Sequence, residues 1–242
     1  MAHGFPDYGV AAPSHTIYTF EDIGELATRL GSPDTFDRRG NVIWLESFED
    51  TLNRWDSGSF GAEGDFQHTA EASRSGSFSA KLLSATTVDK DSWIWCYRPL
   101  PVESKIGIEC SYAMYLQIKY LYLILNFIER NDKYEYELRY DRYNTTLAYL
   151  NSGGTYTDLP GRISTQLLYH TWNTIKLVVD YENKKYVRAL INSFSFDLSD
   201  ISGKHSGGVY TECLMPKIMI TNRVAGAHYL YLDDIILTQN EP

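Results

Sequence analysis

The sequence predicts an all-β domain of long antiparallel strands, on three observations in residues 106–150. Tyr112, Met114, Leu116 and Ile118 interleave with Ala113, Tyr115, Gln117 and Lys119, the alternation of a half-buried strand. Residues 121–128 are then apolar at nearly every position, as in a strand with cover on both sides. After the turn residues Asn131, Asp132 and Lys133, Glu135, Glu137, Arg139 and Asp141 alternate with Tyr134, Tyr136, Leu138 and Tyr140. A meander follows, and a sandwich around it.

Composition bounds the rest. With 242 residues and 43% hydrophobic content the chain has enough apolar material for a full core. The net charge is −9, and Lys and Arg are scattered, which argues against a nucleic-acid partner held through phosphates. The first 50 residues hold nine acidic and three basic side chains, so the acidity sits mainly at the front. Gln117, Lys119, Glu129 and Arg130 interrupt or bound the longest apolar run, so no membrane span is expected. The opening residues Met1 to Asp7 show neither the basic nor the apolar region of a signal peptide. Cys96, Cys110 and Cys213 read as three small buried thiols rather than a disulfide framework, with a Cys96–Cys110 bridge as the alternative.

Taken in order, residues 1–18 carry Gly4, Pro6, Gly9 and Pro13 among few apolar residues, the composition of an extended arm. Thr19 reads as an N-cap with Asp22 three residues on, and Ile23, Leu26, Ala27 and Leu30 recur at helical spacing before Gly31. One short amphipathic helix is expected over residues 20–30. Its apolar side, with Tyr18, Phe20, Ile23, Leu26 and Leu30, either covers an edge of its own domain or docks a neighbouring subunit. Turn-rich sequence then places a boundary near Gly40, giving an N-terminal segment over residues 1–40 and a sandwich over residues 41–242.

Three motifs carry a resemblance. Phe48-Glu49-Asp50 with Trp55 is similar to the opening strand of jelly-roll carbohydrate-binding modules. The segment from Ser75-Gly76-Ser77-Phe78 to Leu82 resembles their second strand, and Tyr229 to Leu237, with Asp233-Asp234, resembles their closing strand. Order and position match over roughly residues 42–238. The fold class expected is therefore an antiparallel two-sheet jelly-roll sandwich, concanavalin-like, behind an arm and one short α-helix. The first and last strands of such a sandwich lie side by side, so Glu49 or Asp50 would meet Asp233 or Asp234 at one end of a sheet. Carboxylates brought that close repel unless a cation stands between them, and oxygen ligands suit calcium. In the resembling modules a structural calcium is held in this way, which implies a site of Glu49, Asp233 and a carbonyl from the turn containing Ser77. The alternative is that these acids cap turns and face water.

For sugar, Trp93 and Trp95 share one face of a short strand, either as a stacking platform or as core. Nine of the 19 tyrosines fall between Tyr112 and Tyr149, and Tyr134 and Tyr136 are the platform candidates among them, with a core role as the alternative. Downstream, hairpins are expected at Asn151-Ser152-Gly153-Gly154 and Asn183-Lys184-Lys185, with closing strands over residues 217–221 and 228–238. The second hairpin, opened by Trp172-Asn173-Thr174-Ile175, is similar to one in concanavalin-like and laminin-G-like sandwiches. Ser202 to Gly208 reads as a polar loop.

A glycoside hydrolase or lyase would need catalytic residues, and only Glu135, Glu137 and Asp141 offer themselves. Interspersed with Arg139 they read as a solvated face. No nucleophile elbow, zinc signature or nucleotide fingerprint is present, so no enzyme is expected. The front segment, from Gly4-Phe5-Pro6-Asp7-Tyr8-Gly9 to Phe36-Asp37-Arg38-Arg39-Gly40, looks like the start of virion-type proteins of tailed phages. That resemblance implies a non-enzymatic capsid-decorating or tail-associated subunit, assembling with copies of itself and other virion proteins and located in the virion. The alternative is a carbohydrate-binding module acting on a polysaccharide outside the cell.

Overall fold

The computed structural model describes residues 39–60, 64–115, 117–163, 171–209 and 211–242. The expected arm and helix, with Tyr18, Phe20, Ile23, Leu26 and Leu30, lie outside these described residues.

Sixteen strands are present among the described residues: β1 Asn41–Glu46, β2 Asp56–Ser59, β3 Phe66–Thr69, β4 Ser79–Leu83, β5 Asp91–Trp95, β6 Lys105–Met114, β7 Ile118–Glu129, β8 Asp132–Asp141, β9 Thr146–Leu150, β10 Tyr156–Asp158, β11 Asn173–Asp180, β12 Lys185–Ile191, β13 Phe194–Asp197, β14 Lys204–Gly207, β15 Cys213–Asn222 and β16 Tyr229–Gln239. They form two antiparallel sheets. Sheet A runs β13-β12-β11-β6-β16-β4-β3 with β1 also on β16, and sheet B runs β10-β9-β8-β7-β15-β5-β2 with β14 also on β8. This is the two-sheet sandwich that the alternation predicts.

The core lies between the sheets. Sheet A contributes Ile106, Ile108, Tyr112, Ile175, Leu177 and Leu232, and sheet B contributes Leu123, Leu125, Phe127, Tyr136, Leu138 and Ile218, all essentially inaccessible to water. Burying this apolar surface is the main term favouring the fold. β7 is largely apolar because it is central, flanked by β8 and β15, with its inward residues in the core and most of its outward residues buried as well. The three cysteines are free and buried.

Two local expectations are corrected. The strand at the front is β1, and Phe48 lies beyond it with φ +55°, where the chain turns and drops the ring into the core. Residues 202–208 are not merely a loop, since β14 pairs with β8 and protects its edge. The first and last strands do lie side by side, with Glu46 opposite Ile235. A register shift in β16 between Asp233 and Ile236, with Asp234 at φ +46°, makes a bulge that holds both aspartates between the inward-facing Leu232 and Ile235.

Candidate functional site

Directly opposed residues of an antiparallel pair share a face, so the register of sheet B defines its outer surface. One row runs Tyr156, Leu150 on β9, then Glu137, Ile124, Lys217 and Trp95. The next runs Ala148, Arg139, Tyr122, Met219, Trp93 and Gly58. Aromatic, aliphatic and ionisable side chains are thus interspersed across the sheet, with Asp56 opposite Trp95 and Asp158 opposite Ala148 at its edges.

The rings are tied to one another and to cations. Tyr122 stands 5.9 Å from both Tyr120 and Tyr156, and Phe60 meets Trp93 edge-on at 4.9 Å. Arg139 stacks at 4.1 Å on Tyr156 and 4.8 Å on Tyr120, while Lys217 Nζ lies 4.8 Å from the Trp93 ring centre. Gly58 is required here, because a Cβ would come within 2.9 Å of the Trp93 ring.

Glu137 sits at the centre. It is 7% exposed, and the Tyr156 hydroxyl donates to its Oε2. Burial raises its pKa above the ordinary carboxylate range, and the same desolvation pushes the Tyr156 phenol up and the Lys217 ammonium down. The Tyr122 phenol is raised to about 12, again chiefly by burial. Asn126, on the same face, is 1% exposed and its Oδ1 has no hydrogen-bond partner. A buried amide oxygen without a partner is uncommon.

Against this geometry the expected site residues divide. Trp93 and Trp95 are half-buried on the outer face, with Ile94 between them in the core, so neither indole is a core residue. Tyr134 is partly buried beside Lys184, whose Nζ lies 4.3 Å from its ring, and it packs on the core. Tyr136 is corrected: it is 0% exposed between Phe127 and Tyr186 and offers no ring to a ligand. Glu137 and Asp141 are also corrected, because each is 7% exposed and neither belongs to a solvated face. The sequence reading missed Tyr122, Asn126, Tyr156 and Lys217. Their signal was the phase of alternation in β7 and β15, obscured because both faces of these strands are largely apolar.

At the far end of sheet A, the proposed metal residues are near one another but otherwise engaged. Glu49 accepts the N–H groups of Ser77 and Phe78 at 3.0 and 2.9 Å, and Asp233 accepts those of Arg74, Ser75 and Asp234 at 2.8, 3.1 and 2.9 Å. Ser77 thus meets Glu49 through its N–H. Asp234 accepts the Ser75 hydroxyl at 2.8 Å, and its Oδ2 is buried with no partner. Burial and the neighbouring Asp234 raise the Asp233 pKa to about 7. No group of three metal-ligating side chains is assembled among the described residues.

No protein-family model matches the chain, and no curated protein does. Solved structures do resemble it. Endo-beta-1,4-glucuronan lyase from the fungus Trichoderma reesei superposes with a TM-score of 0.56 at 11% identity, over 83% of this chain and 96% of that one. The cellulose induced protein Cip1 gives 0.55 at 10%, over 81% and 97%. A carbohydrate esterase from the Shiga toxin-encoding bacteriophage phi24B gives 0.50 at 12%, over 84% and 100%. At these identities the likeness shows the fold. It is an antiparallel jelly-roll sandwich.

Proposed function

We propose that the outer face of sheet B binds a polysaccharide chain and does not cleave it. The observation that carries this reading is the outward, half-buried pair Trp93 and Trp95 in register with Tyr122 and Tyr156, with Lys217 set over Trp93. Rings of this kind stack on the apolar faces of sugars, and fixed polar groups select their hydroxyls. From β10 to β5 the face crosses five strand spacings, about 24 Å, room for several sugar residues. Two of the similar folds belong to proteins whose names give them carbohydrate chemistry, which supports the same reading.

Binding without hydrolysis is supported by the state of the carboxylates. A glycosidase of the usual kind needs two available carboxyl groups. Beside Glu137, Glu135 is held by Lys133 at 2.6 Å and Lys204 at 3.1 Å, and Asp141 accepts the N–H groups of Tyr143 and Asn144. The test is affinity electrophoresis of the full chain in gels containing soluble polysaccharides, with the eluted polymer assayed for new chain ends. Retardation lost in Trp93→Ala supports the proposal. Retardation unchanged in that variant, or release of new ends, overturns it.

A structural calcium is the cofactor proposed for the other end of the molecule. The unpartnered Asp234 Oδ2, with Glu49 close enough to raise the Asp234 pKa, fits a cation, while the amide-saturated Asp233 fits it less well. Asp234 and Glu49 would hold the ion, which would supply charge compensation between strand ends. Assembly with copies of itself and with other virion proteins, through residues 1–40 and on a virion surface, is a further proposal compatible with sugar binding.

A further inference from the structure

Which groups on the outer face of sheet B already have partners gives the sign of its ligand. Resting on the polysaccharide reading above, we propose that this face takes an anionic polysaccharide, whose carboxylate or sulfate groups are received by Lys217 and Arg139.

Both cations are seated on aromatic rings, and Arg139 also meets the exposed Asp158. Lys217 Nζ stands over Trp93, and among the described residues no carboxylate lies within ion-pair distance of it. Arg139 lies on Tyr156 and Tyr120; its contact with Asp158 is long, at 3.9 Å, Asp158 is 64% exposed, and Arg139 Nε is buried without a partner. A ring fixes a cation in place but carries no net charge, so neither side chain is neutralised by the ring beneath it.

Four acids of the same face are engaged elsewhere, while Asp56 and Asp158 lie exposed at its two edges. Glu135 is held by two lysines, Asp141 by turn amides, Asp91 by the Thr221 hydroxyl and Glu137 by that of Tyr156. Glu137 and Asp56 lie in register with Lys217, each two strands away, and neither comes within ion-pair distance of it. A half-buried ammonium without a counter-ion is costly, and an incoming anion would relieve that cost. The molecule as a whole carries −9, so the attraction is local to these two side chains and not a property of the overall field.

The experiment measures the affinity of the full chain for polygalacturonate, for chondroitin sulfate and for a neutral glucomannan, with Lys217→Met, Arg139→Gln, Trp93→Ala and the exposed control Lys185→Met. Melting curves verify that each variant folds, and Arg139→Gln serves if Lys217→Met does not. The expected result is a polyanion bound at least about tenfold more tightly than the neutral chain, with about a tenfold loss in Lys217→Met and none in Lys185→Met. Chondroitin sulfate carries a carboxylate beside each sulfate, so its binding without polygalacturonate binding assigns the sulfate, while binding of polygalacturonate assigns the carboxylate. Equal or tighter binding of glucomannan, sensitive to Trp93→Ala but not to Lys217→Met, overturns the anionic ligand and leaves the polysaccharide reading standing. Absence of binding to all three overturns both.

Discussion

Tyr186, rooted in sheet A, reaches through the core to the backbone of Glu137 in sheet B. Its hydroxyl accepts the Glu137 N–H at 2.9 Å and donates to the Leu150 carbonyl at 2.8 Å. The ladder between β8 and β9 ends one pair earlier, at Leu138 and Tyr149, so this hydroxyl stands in for a missing pair of strand hydrogen bonds. The inner layer thereby sets the position of the acid on the outer face.

Tyr186→Phe removes only that oxygen and leaves two buried backbone groups unpaired. We expect a loss of about 1–3 kcal/mol in urea unfolding, with weaker polysaccharide binding as Glu137 shifts. A variant as stable as the parent would mean that water satisfies both groups.

Trp93→Ala and Tyr136→Ala separate ligand contact from packing. Trp93 lies outside the core, so its loss is expected to abolish polysaccharide retardation with little change in unfolding free energy. Tyr136 is fully buried, and its truncation is expected to cost about 3–5 kcal/mol. Circular dichroism during urea titration reads the second effect, and gel retardation reads the first.

The raised Glu137 pKa has a defined sign. Because the folded value lies above the unfolded one, its contribution is fully present below the unfolded value, about 4.3, and is lost as pH rises through the folded value. Glu137→Gln keeps an acceptor for Tyr156 and does not ionise. Its melting temperature should gain on the parent as pH rises through that window. Parallel curves at all pH values would show that the carboxylate is not destabilised by burial.

Calcium is expected to raise the melting temperature of the parent and chelator to lower it. Asp234→Asn, which tolerates the positive φ, should abolish the difference. If the variant responds to calcium as the parent does, the ion binds elsewhere or not at all.

For the N-terminal segment, the solution mass of the full chain is compared with that of a chain starting at Asn41. A defined oligomer for the first and a folded monomer for the second is the outcome expected of an assembly device. Two monomers of equal stability would remove its physical basis.

The alternation of residues 134–141 was sufficient to set Tyr136, Leu138 and Tyr140 on one face and Glu135, Glu137 and Arg139 on the other; that the first face is core, Tyr136 included, came from the structure. It was sufficient because a strand has a period of two and water decides which phase turns inward. The adjacency of the first and last strands was also legible, through the aspartates at one end and the acidic opening segment at the other. The environment of those faces was not legible. Whether Glu137 is solvated or recessed depends on Tyr156, fifteen positions beyond the β8 strand's end and brought back by β9 and β10, and on Lys217 and Trp93, delivered by β15 and β5. Likewise, an acid pair such as Asp233 and Asp234 does not reveal in the sequence whether N–H groups or carbonyls will surround it. Periodicity is a local property, fixed by the geometry of one strand, and the sequence by itself determined the sandwich for that reason. Burial, pairing and charge state at the site depend on which strands lie side by side, and only the tertiary structure decided them.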